Sequence, residues 1–334
     1  MTSTLDPTNP GGTLDRIRQL QPTAGHHVPR QHTVSRVVLK NYAAPRSSKY
    51  RGSLGRVDLT RASLKPTWRG PHGCGYVDDF VVFSSRSLEH LWSETEAKLG
   101  DAIAACIHNL YPDPNQIQVL KDAVALHFVR SVHSPAKLDQ IWEENLQELR
   151  RKILTTQRAR LESAFRELHG GLHPAGQDGL SLVFDSLTAP MVELHNNGAF
   201  RRTSLERLLH VARRQLDPLK VEICRSESEF VIGDAPVIAR ATDGRLGLRE
   251  GVALGDANLI AMPVHPDVLI SLSITPASPV LNREQTEYMN GLQVLAAHRE
   301  VYFRPDGDGL DSIRRAAQLA GLGTHSRAKP REPE

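Results

Sequence analysis

Aromatic residues make up only 5% of this 334-residue chain, too few for a broad stacking surface that reads bases or sugars. No apolar run approaches the roughly 20 residues that a membrane helix needs. The opening residues, Met1 to Pro7, lack the charged and apolar regions of a secretory signal. Cysteine is scarce and scattered: Cys74, Cys106 and Cys224 are odd in number and without CxxC spacing. That pattern suits reduced thiols in a cytoplasm better than a disulfide framework or a zinc ribbon. Walker A, GxGxxG, HExxH and GxSxG motifs are missing as well. A nucleotide-fold enzyme, a zincin or an α/β-hydrolase would each carry one of them. Many sites, however, are assembled from scattered residues, so the absence does not decide the matter.

What is present is ordinary for a soluble protein, with 40% hydrophobic and 24% charged residues. The length suffices for one large domain or two modest ones with a sizeable core. The net charge of +3 hides an asymmetry, because residues 1–70 carry +9 and the rest −6. A basic N-terminal arm of this kind would draw nucleic acid or phosphate. A solvated leader explains the same charges without a partner. Residues 1–25, rich in Pro, Gly and Thr, are expected to be a disordered leader, residues 26–320 a single α+β domain, and residues 321–334 a frayed basic tail.

Helical spacing dominates the middle of the chain. Leu88, Leu91, Trp92, Leu99, Ile103 and Ile107 recur at three- and four-residue steps after Ser87. Pro112 and Pro114 interrupt them, and Ile117, Leu120, Val124 and Phe128 then mark a second helix. A third runs from Pro135 through Ile141 and Ile153 towards Leu168, and a shorter one covers Ser204–Leu216. Short strand-like runs precede and follow this region: Phe80–Phe83, Val221–Cys224, Phe230–Ile232, Pro236–Ile238, Leu259–Val264 and Val268–Leu272. Asn282 caps a last helix, after which Val301–Phe303 returns to a sheet. The fold class is α+β, a helical middle region packed with a mainly antiparallel C-terminal sheet. Histidine pairs invite a metal reading at His26-His27, His72 with Cys74, and His169 with His173. Adjacent side chains on an extended chain point apart, and glycines flank or separate the others, so turns and loops explain them.

Polar residues sit directly beside an apolar run in Arg30-Gln31-His32-Thr33-Val34-Ser35-Arg36-Val37-Val38-Leu39-Lys40-Asn41-Tyr42-Ala43. Val34 to Tyr42 suits one helical turn or a short strand. The stretch resembles the opening motif RQHxVPRxYLRNFA of a bacterial family, domain of unknown function 4238, with Ser35 in place of Pro and Val38 in place of Tyr. Three later segments are similar to that family in order. They are Leu91–Glu96, Val129-Arg130-Ser131, and Phe230–Val237, which looks like FxxSDxPV with Gly233 for Ser. Met262–Pro266 is similar to its PLSP segment. The resemblance spans about residues 30–305 and implies no reaction.

The motif residues themselves leave two readings open. His32, Glu96, Arg130 and Asp234 each stand beside apolar residues that pin them to the core. Brought together, they supply a base, two carboxylates and a cation, with Arg30 and Arg36 as further contacts for an anionic substrate. Such a set suits a divalent metal as cofactor and hydrolysis of nucleic-acid phosphodiesters. In the other reading they form a structural polar network in a binding or regulatory protein. Glu96 and Arg130 then brace two helices, and Asp234 makes an Asx-type turn before Ala235-Pro236.

Overall fold

A computed structural model describes residues 11–23, 25–108, 112–170, 178–248, 252–275 and 280–322. Among them are ten α-helices: α1 Gly11–Leu20, α2 Arg36–Asn41, α3 Ser85–Ile107, α4 Pro114–Val129, α5 Ser134–Thr156, α6 Arg158–His169, α7 Gly179–Asn196, α8 Ala199–Leu216, α9 Arg283–Ala296 and α10 Gly309–Leu319. The strands are β1 Arg30–His32, β2 Leu54–Asp58, β3 Thr67–Arg69, β4 Tyr76–Asp78, β5 Lys220–Ser226, β6 Ile232–Gly233, β7 Ile238–Ala241, β8 Leu246–Gly247, β9 Ala257–His265, β10 Val268–Ser273, β11 Val280–Leu281 and β12 Glu300–Phe303. The protein is α+β, with helices in the middle and a mainly antiparallel sheet near the C-terminus. The chain separates into two compact units, one of residues 1–27, 81–85 and 134–204 and the other of residues 28–80, 86–133 and 205–334.

The smaller unit is helical. Leu161 and Phe165 of α6 pack on Val183 of α7, with Ile153 and Leu154 of α5 alongside. Arg201 donates to both carboxylate oxygens of Asp139, and Trp142 stacks flat on His195 at 4.6 Å. Residues 11–23 and 25 of the expected leader are among those described. Gly11–Leu20 is a helix, and its Ile17 and Leu20 are buried with Phe83 and Ala199. Their three-residue spacing supplies an apolar stripe, which the Pro and Gly around it obscured. Residues 1–10 and 323–334 lie outside the described residues, as does His173.

Among the described residues, the larger unit holds three sheets. Six strands follow the order β11-β5-β10-β9-β7-β8, antiparallel throughout except for the β11–β5 pair. A four-stranded sheet, β3-β2-β12-β6, joins residues far apart in sequence, with Glu300 opposite Asp58 and Val301 opposite Gly233. Val301–Phe303 thus lies between an N-terminal strand, β2, and the short strand β6, outside the six-stranded sheet. Under it lies a core of Val57, Val231, Val294, Phe303, Ile313 and Ala317. The third sheet is the short β1–β4 pair, with His32 opposite Tyr76. The expected strand at Phe80–Phe83 does not form. The preceding strand is Tyr76–Asp78, and Phe80 is buried in contact with Trp92 instead. Asp79, at a φ of 53°, turns the chain out of the sheet there.

Candidate functional site: a buried arginine network in the larger unit

The site begins with a short loop. Beyond β1, the backbone N–H groups of Thr33 and Val34 both donate to the Gly75 carbonyl, at 2.8 and 3.1 Å. Val34 is fully buried, so the loop is held at both its backbone and its side chain. Gly75 has a φ of 65°, and a Cβ on it would lie 2.9 Å from Leu39 and 3.0 Å from Val34, so only glycine fits. Ser35 then starts α2, but its hydroxyl makes no cap hydrogen bond. It points to the neighbouring helices.

There it meets a closed set of partners. Ser35 Oγ donates to Glu96 Oε1 at 2.5 Å and accepts from Arg130 Nη2 at the same distance. Arg130 Nη2 also reaches Glu96 Oε1 at 2.6 Å. The Ser35 backbone N–H donates to His127 Nε2 at 3.0 Å, while His127 Nδ1 donates to the Ala123 carbonyl at 2.7 Å. That pairing sets the neutral tautomer with its proton on Nδ1. Burial, reinforced by the Arg130 charge, holds the His127 pKa down at about 3. Arg130 is 1% exposed, and its guanidinium lies 5.6 Å from the centre of the Trp92 ring. Burial, the largest single influence, pushes the Glu96 carboxyl up, but the Arg130 charge and the hydrogen bonds from Ser35 and Arg130 together leave its pKa lowered.

Around this core the polar groups are less satisfied. His32 Nε2, Glu89 Oε1, Trp92 Nε1 and Arg130 Nε are buried atoms without a hydrogen-bond partner. Burial lowers the His32 pKa to about 4, helped by the Arg36 charge. Burial raises that of Glu89 to about 7, against the pull of Arg130. Glu89, Trp92 and Glu96 recur on one face of α3, at steps of three and four. His127 and Arg130 stand one turn apart at the end of α4.

His32, Glu96 and Arg130, expected from the sequence, thus share one neighbourhood. Asp234 belongs to a different arrangement. Its carboxylate accepts the backbone N–H groups of His298, Arg299 and Glu300 at 2.7 to 2.9 Å, anchoring the turn into β12. Arg30 is exposed, paired with Asp78 at 3.6 Å and set 5.1 Å from the Tyr76 ring centre. Arg36 is also exposed, and its Nη1 donates to His72 Nδ1 at 2.7 Å. Cys74 is buried and its thiol is pushed up to about 12 by that burial. Among the described residues, no three His, Cys, Asp or Glu side chains are gathered to hold a metal ion.

Ser35, Glu89, Trp92 and His127 were missed as partners of the network. Glu89 carried a signal, its helical spacing with Glu96. Ser35 and His127 carried none, because the loop and α4 meet only in three dimensions. The sequence also passed over a second polar group, in which Arg304 joins Glu229 at 3.1 Å and Asp267 at 3.6 Å beside the buried Tyr42.

A family model, protein of unknown function (DUF4238), matches residues 30–307. The chain belongs to this family. The match covers the whole larger-unit network, from His32 through Arg130, and continues past β12. No curated protein and no solved structure matches the chain. All three cysteines of this DUF4238 chain are free and buried. Among the described residues, no helix is long and apolar enough to cross a membrane.

Proposed function

We propose that this DUF4238 protein works by binding a partner, and that its motif residues brace the fold rather than carry out chemistry. The observation that carries this reading is the sharing of Arg130 Nη2 between Glu96 and Ser35. The charge of that arginine is matched inside the protein, at a position 1% exposed, where a substrate anion would have to displace Glu96. A buried pair of this kind fixes geometry at little net gain in stability. The three backbone donors on Asp234 give it the same role at another turn. A cytoplasmic setting belongs to this proposal.

A second reading is hydrolysis of nucleic-acid phosphodiesters, and the partnerless His32 Nε2 and Glu89 Oε1 favour it. A carboxyl with a pKa near 7 is suited to give or take a proton at neutral pH. In that reading Arg36 attracts the phosphate and a divalent ion activates water.

Cleavage of labelled RNA and DNA with Mg²⁺ or Mn²⁺ separates the two. The binding reading expects no cleavage by the wild type, and early melting of Glu96→Ala and Arg130→Ala. Cleavage that disappears in Glu89→Gln and His32→Ala proteins of unchanged melting temperature would overturn it.

A further inference from the structure

A second feature of the larger unit lies on other elements. The N-terminal half of α9 stands over one face of the six-stranded sheet, leaving a cavity of about 540 Å³. This falls within the roughly 300–1,000 Å³ common for small-molecule sites. Its apolar wall comes from Leu259, Ala261, Leu269, Leu281 and Met289. The sheet register explains why these residues share a face. Ser271 pairs with Ala261 and Leu269 with Cys224, and alternate residues of a strand point the same way.

Ser271 lies within this wall and does not fit it. It is 2% exposed, and its hydroxyl is buried without a hydrogen-bond partner. A hydroxyl in this state is costly, and native proteins rarely leave one unmet. Ser271 is itself one of the residues that line the cavity, and the described residues supply its hydroxyl with no partner. Among the described residues, Glu284 and Tyr288 also line the cavity, and no Lys or Arg does. A carboxylate or phosphate would find no counter-charge there. The opening suits the entry of a neutral molecule, with Tyr288 58% exposed.

We propose that the cavity between α9 and β5, β9 and β10 binds an uncharged, mainly apolar molecule carrying one hydroxyl or carbonyl, which hydrogen-bonds to Ser271. The apolar body packs on Leu269, Ala261 and Met289, and the polar group points at the strand. This names the ligand class for the binding reading and rests on it. The two fail separately, because the brace is tested by the melting of Glu96 and Arg130 variants and the cavity by a probe.

The probe is p-cresol, with toluene as the same ring lacking the hydroxyl. The chain has four methionines, so the methyl-carbon spectrum of ¹³C-methionine protein is simple, and Met289→Leu assigns the resonance of Met289. Saturable movement of that resonance by p-cresol is expected, with toluene binding about tenfold more weakly. Ser271→Ala should bring the two probes to equal affinity, and Ala261→Leu should weaken both by filling the wall. A Met289 resonance unmoved by either probe in the folded wild type would overturn the proposal. Equal affinity of the two probes for the wild type would also overturn it, since the hydroxyl would then have no partner at Ser271. This comparison needs no variant to fold.

Discussion

Arg130 and Glu96 meet at 2.6 Å between the end of α4 and the middle of α3, and Ser35 stands within 2.5 Å of both. One nitrogen of the guanidinium therefore ties a loop and two helices at a single point. Removing either charged partner strands the other. Glu96→Ala should cost about 3 kcal/mol, because it leaves Arg130 charged and buried. A fall in Tm of roughly 6–12 °C follows for a domain of this size. Replacing both with apolar residues, Glu96→Leu with Arg130→Met, should recover much of that loss. Calorimetry and urea unfolding of the three proteins would check this.

Ser35 occupies the place of a proline in the resembling motif, and its φ of −55° would accept one. Its N–H, however, is the donor to His127 Nε2 at 3.0 Å. Ser35→Pro keeps the backbone angle but deletes this donor and the hydroxyl together. The expected cost is about 2–4 kcal/mol, against about 1–2 kcal/mol for Ser35→Ala, which retains the N–H. A smaller loss in the proline variant than in the alanine variant would show that the backbone bond to His127 does not hold the loop.

His32 and Glu89 pull stability in opposite directions as pH changes. The folded-state pKa of His32 is depressed to about 4. The unfolded chain thus binds more protons between about 6.5 and 4, and stability falls as the pH drops through that window. Glu89 is raised to about 7, so the folded chain keeps a proton that the unfolded chain has lost. Its contribution is full in acid and declines as the pH rises from about 4.5 to 7. Because the two windows overlap with opposite slopes, His32→Asn should leave stability falling as the pH rises between about 4.5 and 6.5, and Glu89→Gln should leave it rising. Denaturant midpoints measured from pH 4 to 8 would resolve the two slopes.

Gly233 stands where the resembling motif has serine. A Cβ there would lie 2.9 Å from the Gln293 carbonyl oxygen and 3.2 Å from Ala297 Cβ, both on or beside α9. Neither neighbour is the free end of a flexible side chain. The Gly233 N–H also donates to Gln293 Oε1 at 2.9 Å. Gly233→Ser should destabilise by about 1–3 kcal/mol through this overpacking. An unchanged urea midpoint would mean that α9 can move away from β6 freely.

Helices were legible where apolar residues recur at three and four and a cap precedes them. Asn282 begins α9 with a capping box to Gln285, as its side-chain chemistry implies. Asp113 does the same for α4 with Gln116, so Pro114 starts that helix as its first residue rather than ending the one before. The helices α7 and α10 escaped notice. The first has Pro190 inside it, and the second is built largely of small and charged residues around Leu310 and Ile313. The charged helical stretch after Pro135 breaks at Gln157, which no proline or glycine marks.

The sequence by itself determined the α+β class and the family, and it singled out His32, Glu96, Arg130 and Asp234 without deciding which of them meet. Each of these rests on local pattern or on a motif that lies along the chain. Tertiary structure alone decided the rest. The bridging role of Ser35, the neutral state of His127 and the separation of Asp234 depend on partners 61 to 95 residues away. The placement of β12 beside β2 spans over 240 residues and was equally hidden. A side chain's burial and hydrogen-bond partners set its charge and its chemistry, and both are properties of the folded neighbourhood rather than of the adjacent sequence.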